Sequence, residues 1–448
     1  MAEIVQGAYH PQSYSLETVN LITASGELDI KLLVTSFSFF EDIYSYSVSG
    51  SIDIVDSYGY MQLLKIRGNE FIQIDLRKYS GAPVGLQKTF RLFKISNLGP
   101  MSNGNAYAYK LHFCSQEMVS AEQIKIKKSY NGKKIDYIIK DILSELKVDA
   151  TKIKKIEDTN GMYDFVIPRL KPFEAINWLS IYARPAAAGA KGADMIFYET
   201  QKGYYFKSLQ SMYLQSPYAT YKYQVKNVSG QSFEDQHTTV LNFEFIKPFD
   251  VLHDISSGTF ANKVISIDPL TRTIKSNTFN LDTYSKDSKT LNGNLPFTGM
   301  KDRFGNTEMS SSESLVNITF SNSSHEEVEW IKQNPGADAK DIAAETYVPN
   351  RTAQIALANY TLLKLMIPGD TEIQAGMTIE FLAPALQGFG ENEVDKYNSG
   401  KYLVTAVHHL VKAPSVFLTV LEVAKESVQE AYAAPNYNDG VLNGATTA

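Results

Sequence analysis

The chain has 448 residues with a formal net charge of −6, and 44% of them are hydrophobic and 21% charged. This length predicts about three or four domains, and the composition excludes a wholly disordered chain. The single cysteine, Cys114, excludes an internal disulfide, and the acidic balance disfavours nucleic acid as a general ligand. No apolar run approaches the ~20 residues of a membrane span, and the N-terminus lacks a signal-peptide layout, so we expect a protein kept in a cytoplasm.

The first part of the chain, from residue 28 to residue 117, alternates as half-buried strands do. In "YSVSGSIDIVDS", Val48, Ile52 and Ile54 alternate with serine and aspartate, which is the period-2 pattern of a strand with one buried face. Turns rich in glycine, "SGAPVG" and "PMSNGN", separate these runs. The pattern predicts antiparallel hairpins that close into a sandwich or barrel.

The period changes to a helical one near residue 132, and residues 119–212 are predicted to form a small α+β unit. "GKKIDYIIKDILSELKV" spaces its isoleucines and leucines as one face of an amphipathic helix. A second helix follows, with Pro172 in its first turn and Pro185 as its stop. "MIFYETQKGYYFKSL" then predicts a hairpin that turns at Lys202 and Gly203.

The second helix carries the residues that most resemble an active site. Glu174 and Arg184 lie ten residues apart, nearly three helical turns, which is too far for a direct pair. Glu174 is therefore expected to cap the helix or to meet another base such as Arg169. The aromatic residues predict core packing, and Trp178 is the candidate for an exposed interface anchor, because indoles are frequent binding hot spots.

Beyond residue 213 the chain returns to strands. Residues 281–325 are rich in Ser, Asn, Thr and Asp and predict long loops. A helical piece, "DIAAETYVPNRTAQIALANYTLL", precedes the last strands, and residues 426–448 predict a flexible tail that orders only on a partner.

A weak internal repeat links the two strand-rich regions. "GNEFIQIDL", "FRLFKISNL" and "YAYKLHFCSQE" occur in the same order and at nearly the same intervals as "GMTIEFLAP", "KYLVTAVHHL" and "VFLTVLEVAKE". Such matches also arise by chance in β-rich chains, so the pattern alone leaves a true duplication open. If it is real, three copies of the chain would make a ring of six like units.

The sequence offers no catalytic or metal-binding motif. His408 and His409 are adjacent on a predicted strand, so their side chains should point to opposite faces and cannot share a metal within one chain. Phosphate-binding, dinucleotide-binding and nucleophile-elbow motifs are missing from the sequence. We expect no enzyme, no cofactor and no metal site.

The stretches "VIPRLKPFEAINWLSIYA", "MIFYETQKGYYFKSLQSM" and "TSFSFFEDIYSYSVSGSIDIVDS" resemble baseplate hub proteins of contractile-tailed bacteriophages of the T-even type. "IPGDTEIQAGMTIEF" and "KYLVTAVHHL" resemble the closing part of the same family. The N-terminal hub module of type VI secretion spike proteins is a distant relative. The resemblance covers most of residues 30–425 and is least clear over residues 281–345.

The resemblance implies a mainly β fold with an α+β insert, in which two tube-like antiparallel β-barrel domains and peripheral domains assemble as a homotrimer with a pseudo-six-fold ring. The division that it implies assigns residues 1–118 to the first barrel and residues 213–252 and 346–425 to the second. The peripheral units would be the α+β unit at 119–212 and a β- and loop-rich unit at 253–345.

The implied function is a structural symmetry adaptor that joins the six-fold tail tube to the three-fold central spike and leaves a channel through which DNA passes. Partners would be the spike protein, the tail tube protein and wedge or peripheral hub proteins of the baseplate. The protein would be located in the tail baseplate of a virion that is assembled in the host cytoplasm. The alternatives are the hub of a type VI secretion or extracellular contractile injection machine, and a tail-associated cell-wall hydrolase.

Four tyrosines complete the predicted interface. "FEDIYSYSVSGSIDIVDSYGY" is expected to form a hairpin at the contacts between barrels of the ring. It carries Tyr44, Tyr46, Tyr58 and Tyr60, which together with Trp178 are the candidate interface residues.

Overall fold

The structure is a computed structural model. It describes residues 13–24, 26–78, 82, 84–101, 106–187, 192–223, 236–269, 272–285, 288–295, 314–320, 344–385 and 394–430.

The first half-sheet is an antiparallel sheet built from the N-terminal strands. Its strands alternate between buried and exposed residues, as β4 does with Gly50, Ile52 and Ile54 buried and Ser51 and Asp53 partly open. Hydrogen-bonded neighbours follow the order β3-β4-β7-β6-β5-β1-β2, and a short helix, α1 (Tyr60–Leu64), connects β4 to β5. The strands of this half-sheet are β1 (Ser15–Thr23), β2 (Gly26–Asp29), β3 (Val34–Asp42), β4 (Ser49–Asp56), β5 (Phe71–Arg77), β6 (Gly85–Pro100) and β7 (Tyr107–Cys114).

The α+β unit follows as the sequence predicts. The helix at Pro172–Ser180 packs on a hairpin that turns between Thr200 and Gly203, and the helix at Ile135–Glu145 packs on that helix. Their apolar faces form a separate core. Cys114 at the end of β7 is buried, and burial raises the pKa of its thiol to about 11. The elements of this unit are α2 (Gln116–Gln123), β8 (Ser129–Lys133), α3 (Ile135–Glu145), β9 (Ile153–Ile156), β10 (Thr159–Asn160), β11 (Tyr163–Val166), α4 (Pro172–Ser180), β12 (Arg184–Pro185), β13 (Met195–Thr200), β14 (Gly203–Ser208) and α5 (Leu209–Tyr213).

The start of α4 shows what Glu174 does. Pro172 occupies the first turn, and the Lys171 backbone N–H donates to Glu174 Oε2 at 3.3 Å. Lys171 Nζ lies 3.8 Å from Glu174 Oε1. The expected capping role of Glu174 is confirmed, and the base that it meets is Lys171 and not Arg169.

The second half-sheet gathers strands from two distant parts of the chain. Its neighbours run β16-β15-β22-β23-β24-β21-β17, and all pairings are antiparallel except β15 with β16 and with β22. Its strands are β15 (Thr220–Tyr223), β16 (Thr239–Val240), β17 (Asn242–Lys247), β21 (Thr361–Pro368), β22 (Thr378–Leu382), β23 (Gly400–Lys412) and β24 (Val416–Lys425).

A smaller peripheral sheet has the order β19-β18-β20, with β18 (Ala261–Asp268), β19 (Thr273–Asn280) and β20 (Leu315–Phe320). β20 lies inside the segment predicted as loops, where its short apolar run was missed. Helices at Val251–Ser256 and Leu281–Ser285 flank this sheet, and the Ala344–Ala358 helix packs on β18 and β19. Residues 286–287, 296–313 and 321–343 lie outside the described residues.

The two half-sheets share one strand order. In the first, β5-β6-β7-β4-β3 are successive neighbours, and in the second, β22-β23-β24-β21-β17 are successive neighbours with the same antiparallel pairing. The three repeated sequence stretches are β5, β6 and β7 in one half and β22, β23 and β24 in the other. Both copies carry a bulge in the middle strand, at Phe93 in β6 and at Thr405 in β23. The weak repeat in the sequence thus corresponds to a repeat of topology.

The mainly β fold with an α+β insert is confirmed, and the two predicted barrels are the halves of one continuous 14-stranded sheet. The predicted tail is packed where the structure describes it. Ser427 and Val428 are buried, and the Leu291 backbone N–H donates to the buried Glu426 at 2.5 Å. Residues 431–448 lie outside the described residues.

Candidate functional site

The seam between the half-sheets is the feature that joins them. We define the seam as the antiparallel pairing of Ser36–Asp42 in β3 with Ala406–Lys412 in β23. It continues past β3, where the Ile43 backbone N–H donates to Thr405 O at 2.9 Å. The Ile43 side chain is fully buried in the core of the second half-sheet. One strand end therefore completes both the hydrogen bonding and the packing between the halves.

The buried face of the seam is aromatic. His409 is fully buried, stacks on Phe39 with 6.0 Å between ring centroids, and shares a 3.1 Å hydrogen bond with Thr419 Oγ1. Burial lowers the pKa of His409 to about 4, so the ring is neutral at physiological pH. His408 lies on the opposite face, stacked on Phe40 at 4.2 Å. The predicted division of the two histidines between faces is confirmed.

The open face of the seam carries interleaved charges. A groove of ≈ 340 Å³ lies there, and Asp42, Glu422, Lys364 and His408 contribute to its lining. Further along the same face of the first half-sheet, Lys110 pairs with Asp53 at 3.3 Å and a row of serines follows β3 and β4. Acidic and basic groups alternate on this face, so it is not a basic stripe of the kind that binds phosphate tightly.

A buried polar network, which we call the junction network, connects three parts of the chain. Glu199 of the α+β unit is fully buried and accepts hydrogen bonds from Lys88 Nζ at 2.6 Å and from the Ser115 hydroxyl. The Val48 backbone N–H also donates to it at 3.1 Å. Lys88 belongs to β6, so the ion pair fixes the α+β unit on the first half-sheet.

Glu41, at the end of the seam in β3, belongs to the same network. Its two carboxyl oxygens accept from the backbone N–H groups of Gln201 at 2.5 Å and of Ala375 at 3.0 Å. These two donors come from the α+β unit and from the second half-sheet. The buried side chains of Glu41 and Glu199 thus connect the first half-sheet, the α+β unit and the second half-sheet through hydrogen bonds.

Glu41 makes the junction network sensitive to pH. Burial raises the pKa of this carboxyl from 4.5 to about 7, while the nearby Lys88 opposes the shift and Glu199 adds to it. Since the folded chain holds this proton more tightly than the unfolded chain does, the stabilising contribution is present below pH 4.5 and is lost as the pH rises through about 7.

We expect Glu41→Gln to remove this pH dependence. The stability of the natural chain relative to the variant should fall between pH 5 and pH 8, because glutamine has no proton to lose. Urea denaturation of both proteins at each pH measures the difference. Parallel stability profiles over this range would show that Glu41 ionises in the fold as it does in water.

Apart from the terminal strands β2 and β16, each half-sheet leaves one further strand edge open among the described residues. The β6 edge is Lys94–Pro100, which pairs with β7 on one side and with no described strand on the other. The β17 edge is Asn242–Lys247, which pairs only with β21. Large apolar side chains lie on or beside these edges, with Phe93 51% and Ile246 50% exposed. Open edges of this kind are ready to pair with another chain.

The predicted hairpin at Phe40–Tyr60 is present as β3 and β4, and its turn makes contacts within the chain. The Tyr44 hydroxyl donates to Asn359 Oδ1 at 3.2 Å, just before β21. Tyr46 packs on the α+β core, with its ring 6.2 Å from that of Phe173. The turn therefore already has partners inside one chain.

The other candidate interface residues are partly open. Tyr58 is 69% exposed and stacks on Tyr60 at 5.3 Å, and Tyr60 packs against the core of the first half-sheet. Trp178 is half-buried and makes an edge contact with Phe165 at 5.2 Å. Their role at an interface between chains stays a prediction.

Sequence reasoning missed Ile43, Glu41 and the two open edges. Glu41 and Glu199 each end a run of apolar and aromatic residues, "FSFFE" and "MIFYE", which is a signal that the carboxylate is buried and needs partners. The open edges have no local signal in the sequence. A strand lies at an edge when no neighbouring strand pairs with it, and its own residues do not show this.

Two further findings concern the described residues alone. No helix among them is both long and apolar enough to cross a membrane. Within that same part of the chain, no cluster of three or more His, Cys, Asp or Glu side chains could hold a metal ion.

Comparison with solved structures shows what this fold is similar to. A tail protein from Neisseria meningitidis MC58 matches 94% of this chain and 100% of its own at 9% identity, with a TM-score of 0.52. The 43 kDa tail protein of prophage MuSo2 from Shewanella oneidensis matches 92% of this chain and 98% of its own at 9% identity, with a TM-score of 0.52. At such identity the likeness concerns the fold alone. No protein-family model and no curated protein sequence matches the chain.

The E. coli c3393 protein, a component of the type VI secretion system, also matches, over 95% of this chain and 80% of its own. Its identity is 8% and its TM-score 0.43, so this third likeness carries no conclusion about the present chain. The first two matches confirm that the fold resembles that of tail proteins, as the sequence resemblance implies.

Proposed function

We propose that the chain is the baseplate hub of a contractile phage tail. Three copies would form a ring whose six like half-sheets meet the six-fold tail tube, while the three-fold repeat of the whole chain meets the central spike. The observation that carries the proposal is the shared strand order of the two half-sheets within one continuous sheet. The fold likeness to two tail proteins over nearly the whole chain supports it.

The open face of the seam suits a wall along which DNA passes in transit. Its charges are interleaved, as at Lys364 and Glu422 across β21 and β24, so a sliding polyanion meets no continuous basic track. Partners in this proposal are two more copies of the chain, the spike, the tube protein, and wedge or peripheral hub proteins of the baseplate. Its place is the virion tail, assembled in the host cytoplasm.

The second candidate is the hub of a type VI secretion or extracellular contractile injection machine. The same repeated half-sheets would serve that role, and the difference lies in the spike and its cargo. We propose no enzymatic activity, and a cell-wall hydrolase is the competing enzyme class.

Native mass spectrometry of the purified chain tests the assembly. The proposal predicts a particle with the mass of three chains, and a monomer at micromolar concentration would count against the hub. A gel assay on peptidoglycan separates the enzyme class, because clearing by the purified chain would favour a hydrolase and would overturn the purely structural role.

A further inference from the structure

The seam inside one chain is a template for a contact between chains. In the seam, β3 pairs with the part of β23 that lies beyond the Thr405 bulge, and Ile43 enters the core behind it. The topological repeat assigns an equivalent to each partner. β6 is equivalent to β23, and β17 is equivalent to β3, because each occupies the same place in its half-sheet.

As far as Ser96, the β6 edge is equivalent to the part of β23 that β3 covers, and a second register shift follows between Ser96 and Gly99. β6 bulges at Phe93, where its partners in β7 are Phe113 and His112, just as β23 bulges at Thr405 opposite Val423 and Glu422. Before the bulge, β6 pairs with β5 and β23 pairs with β22. Beyond the bulge, β23 pairs with β3. A groove of ≈ 240 Å³ lies at the uncovered position on β6, lined by Ile66, Arg67, Gly68, Leu92, Phe93, Lys94 and Ile95.

The β17 edge is equivalent to β3. Phe39 of β3 pairs with Gly50 of β4, and Phe245 of β17 pairs with Leu363 of β21, at the same place in the two ladders. Ile43 lies four residues beyond Phe39. The ladder between β17 and β21 shifts by one residue between Phe245 and Lys247, and Phe249 is the first aromatic side chain beyond that shift. Ile43 is fully buried, whereas Phe249 is 62% exposed. Just past its last residue, β3 is thus followed by a core side chain, whereas β17 is followed by an apolar side chain without a core.

We infer that the β17 edge of one copy pairs antiparallel with the β6 edge of a second copy of this chain, and that Phe249 enters the groove beside the Phe93 bulge. The pairing places Ser96 against the Ile246–Lys247 step of β17, where the ladder with β21 shifts by one residue, in the way that His408 lies against Phe40 within the chain. The contact is head to tail, so it leaves one edge of each kind free until a ring closes.

This inference rests on the proposed function for the number of copies, while the choice of edges rests on the strand order. A second copy is the favoured occupant because the groove and the edge of this chain repeat an arrangement that the chain already makes with itself. A strand from another protein would need no such match between β17 and β6.

The first test compares two exposed apolar residues that are close in the sequence. We expect Phe249→Ser to raise the concentration at which the trimer dissociates by at least about tenfold, as loss of a buried aromatic anchor does. Leu252→Ser is the matched control, since Leu252 is 82% exposed on the helix that follows and has no place in the inferred contact. Sedimentation velocity over a dilution series measures both. Equal effects of the two substitutions would overturn the role of Phe249.

The second test fixes the partner strands. A chain carrying Ser96→Cys and Ile246→Cys should form covalent dimers and trimers on mild oxidation, and each single variant should not. The natural Cys114 is buried and is present in every variant. Ser96→Cys with Asn242→Cys is the register control, because Asn242 lies at the other end of β17. Cross-linking in the control pair alone would overturn the register.

The outcomes separate this inference from the proposed function. A trimer that forms without the Ser96–Ile246 cross-link keeps the proposed ring and refutes these edges. A chain that stays monomeric refutes both. A monomer that binds a separate strand-bearing protein through Phe249 assigns the groove to another partner.

Discussion

Replacing Lys88 by Met lowers the free energy of unfolding by about 3–5 kcal/mol, the cost of leaving one buried charge without its partner. Lys88 Nζ lies 2.6 Å from Glu199 Oε1, and the Glu199 side chain is fully buried. Without the lysine, the carboxylate keeps its hydrogen bonds from Ser115 and Val48 but has no opposite charge. Urea denaturation followed by circular dichroism and tryptophan fluorescence measures the change.

The control for Lys88 is another lysine on the same half-sheet. Lys110 lies 3.3 Å from Asp53, and both side chains are about one-third exposed. Lys110→Met should cost less than about 1 kcal/mol, because water and salt screen an exposed pair. Replacing both Lys88 and Glu199 by Met should recover part of the loss. Equal effects of Lys88→Met and Lys110→Met would show that the junction network does not hold the units together.

Replacing Ile43 by Ala lowers the free energy of unfolding by about 2–5 kcal/mol, the range for truncating a large buried aliphatic side chain. Ile43 follows the last residue of β3 yet packs in the core of the second half-sheet. Its loss should weaken the seam more than either half, so the two half-sheets should begin to unfold at different urea concentrations.

The control is Leu32→Ala, which removes a leucine side chain that is 95% exposed. It should change the stability by no more than about 0.5 kcal/mol. A single cooperative transition for Ile43→Ala, at the midpoint of the natural chain, would contradict the role of Ile43 in joining the halves.

Local patterns in the sequence predict the local elements well. The alternation in β4 and the helical spacing in α3 each reflect one buried face, which is a property of a few neighbouring residues. The hairpin turn is likewise local, since Gly203 takes a φ of +141° and its Cβ position would meet the Lys152 backbone. Such features need no knowledge of the rest of the chain.

The joining of elements could not be read from the sequence. The pairing of β3 with β23 brings together residues more than three hundred positions apart, and nothing in either strand specifies the other. The sequence does not predict β20 for a related reason. Its partner β18 lies far away in the sequence, and none of its residues is fully buried.

Surfaces that bind other chains are hard to predict from the sequence. Tyr44 and Tyr46 have partners within one chain, and their predicted role between chains stays a prediction. The β17 and β6 edges leave no distinctive pattern in the sequence, because their residues are ordinary strand residues. Their equivalence to the strands of the seam is visible only when the strand order of the two halves is compared.

Electron microscopy of the purified chain tests most directly whether it is a three-fold ring built from repeated half-sheets. The account predicts particles with three-fold symmetry and six similar lobes around a central opening, one lobe for each half-sheet. Particles that contain a single chain, or closed assemblies without six similar lobes, would contradict it.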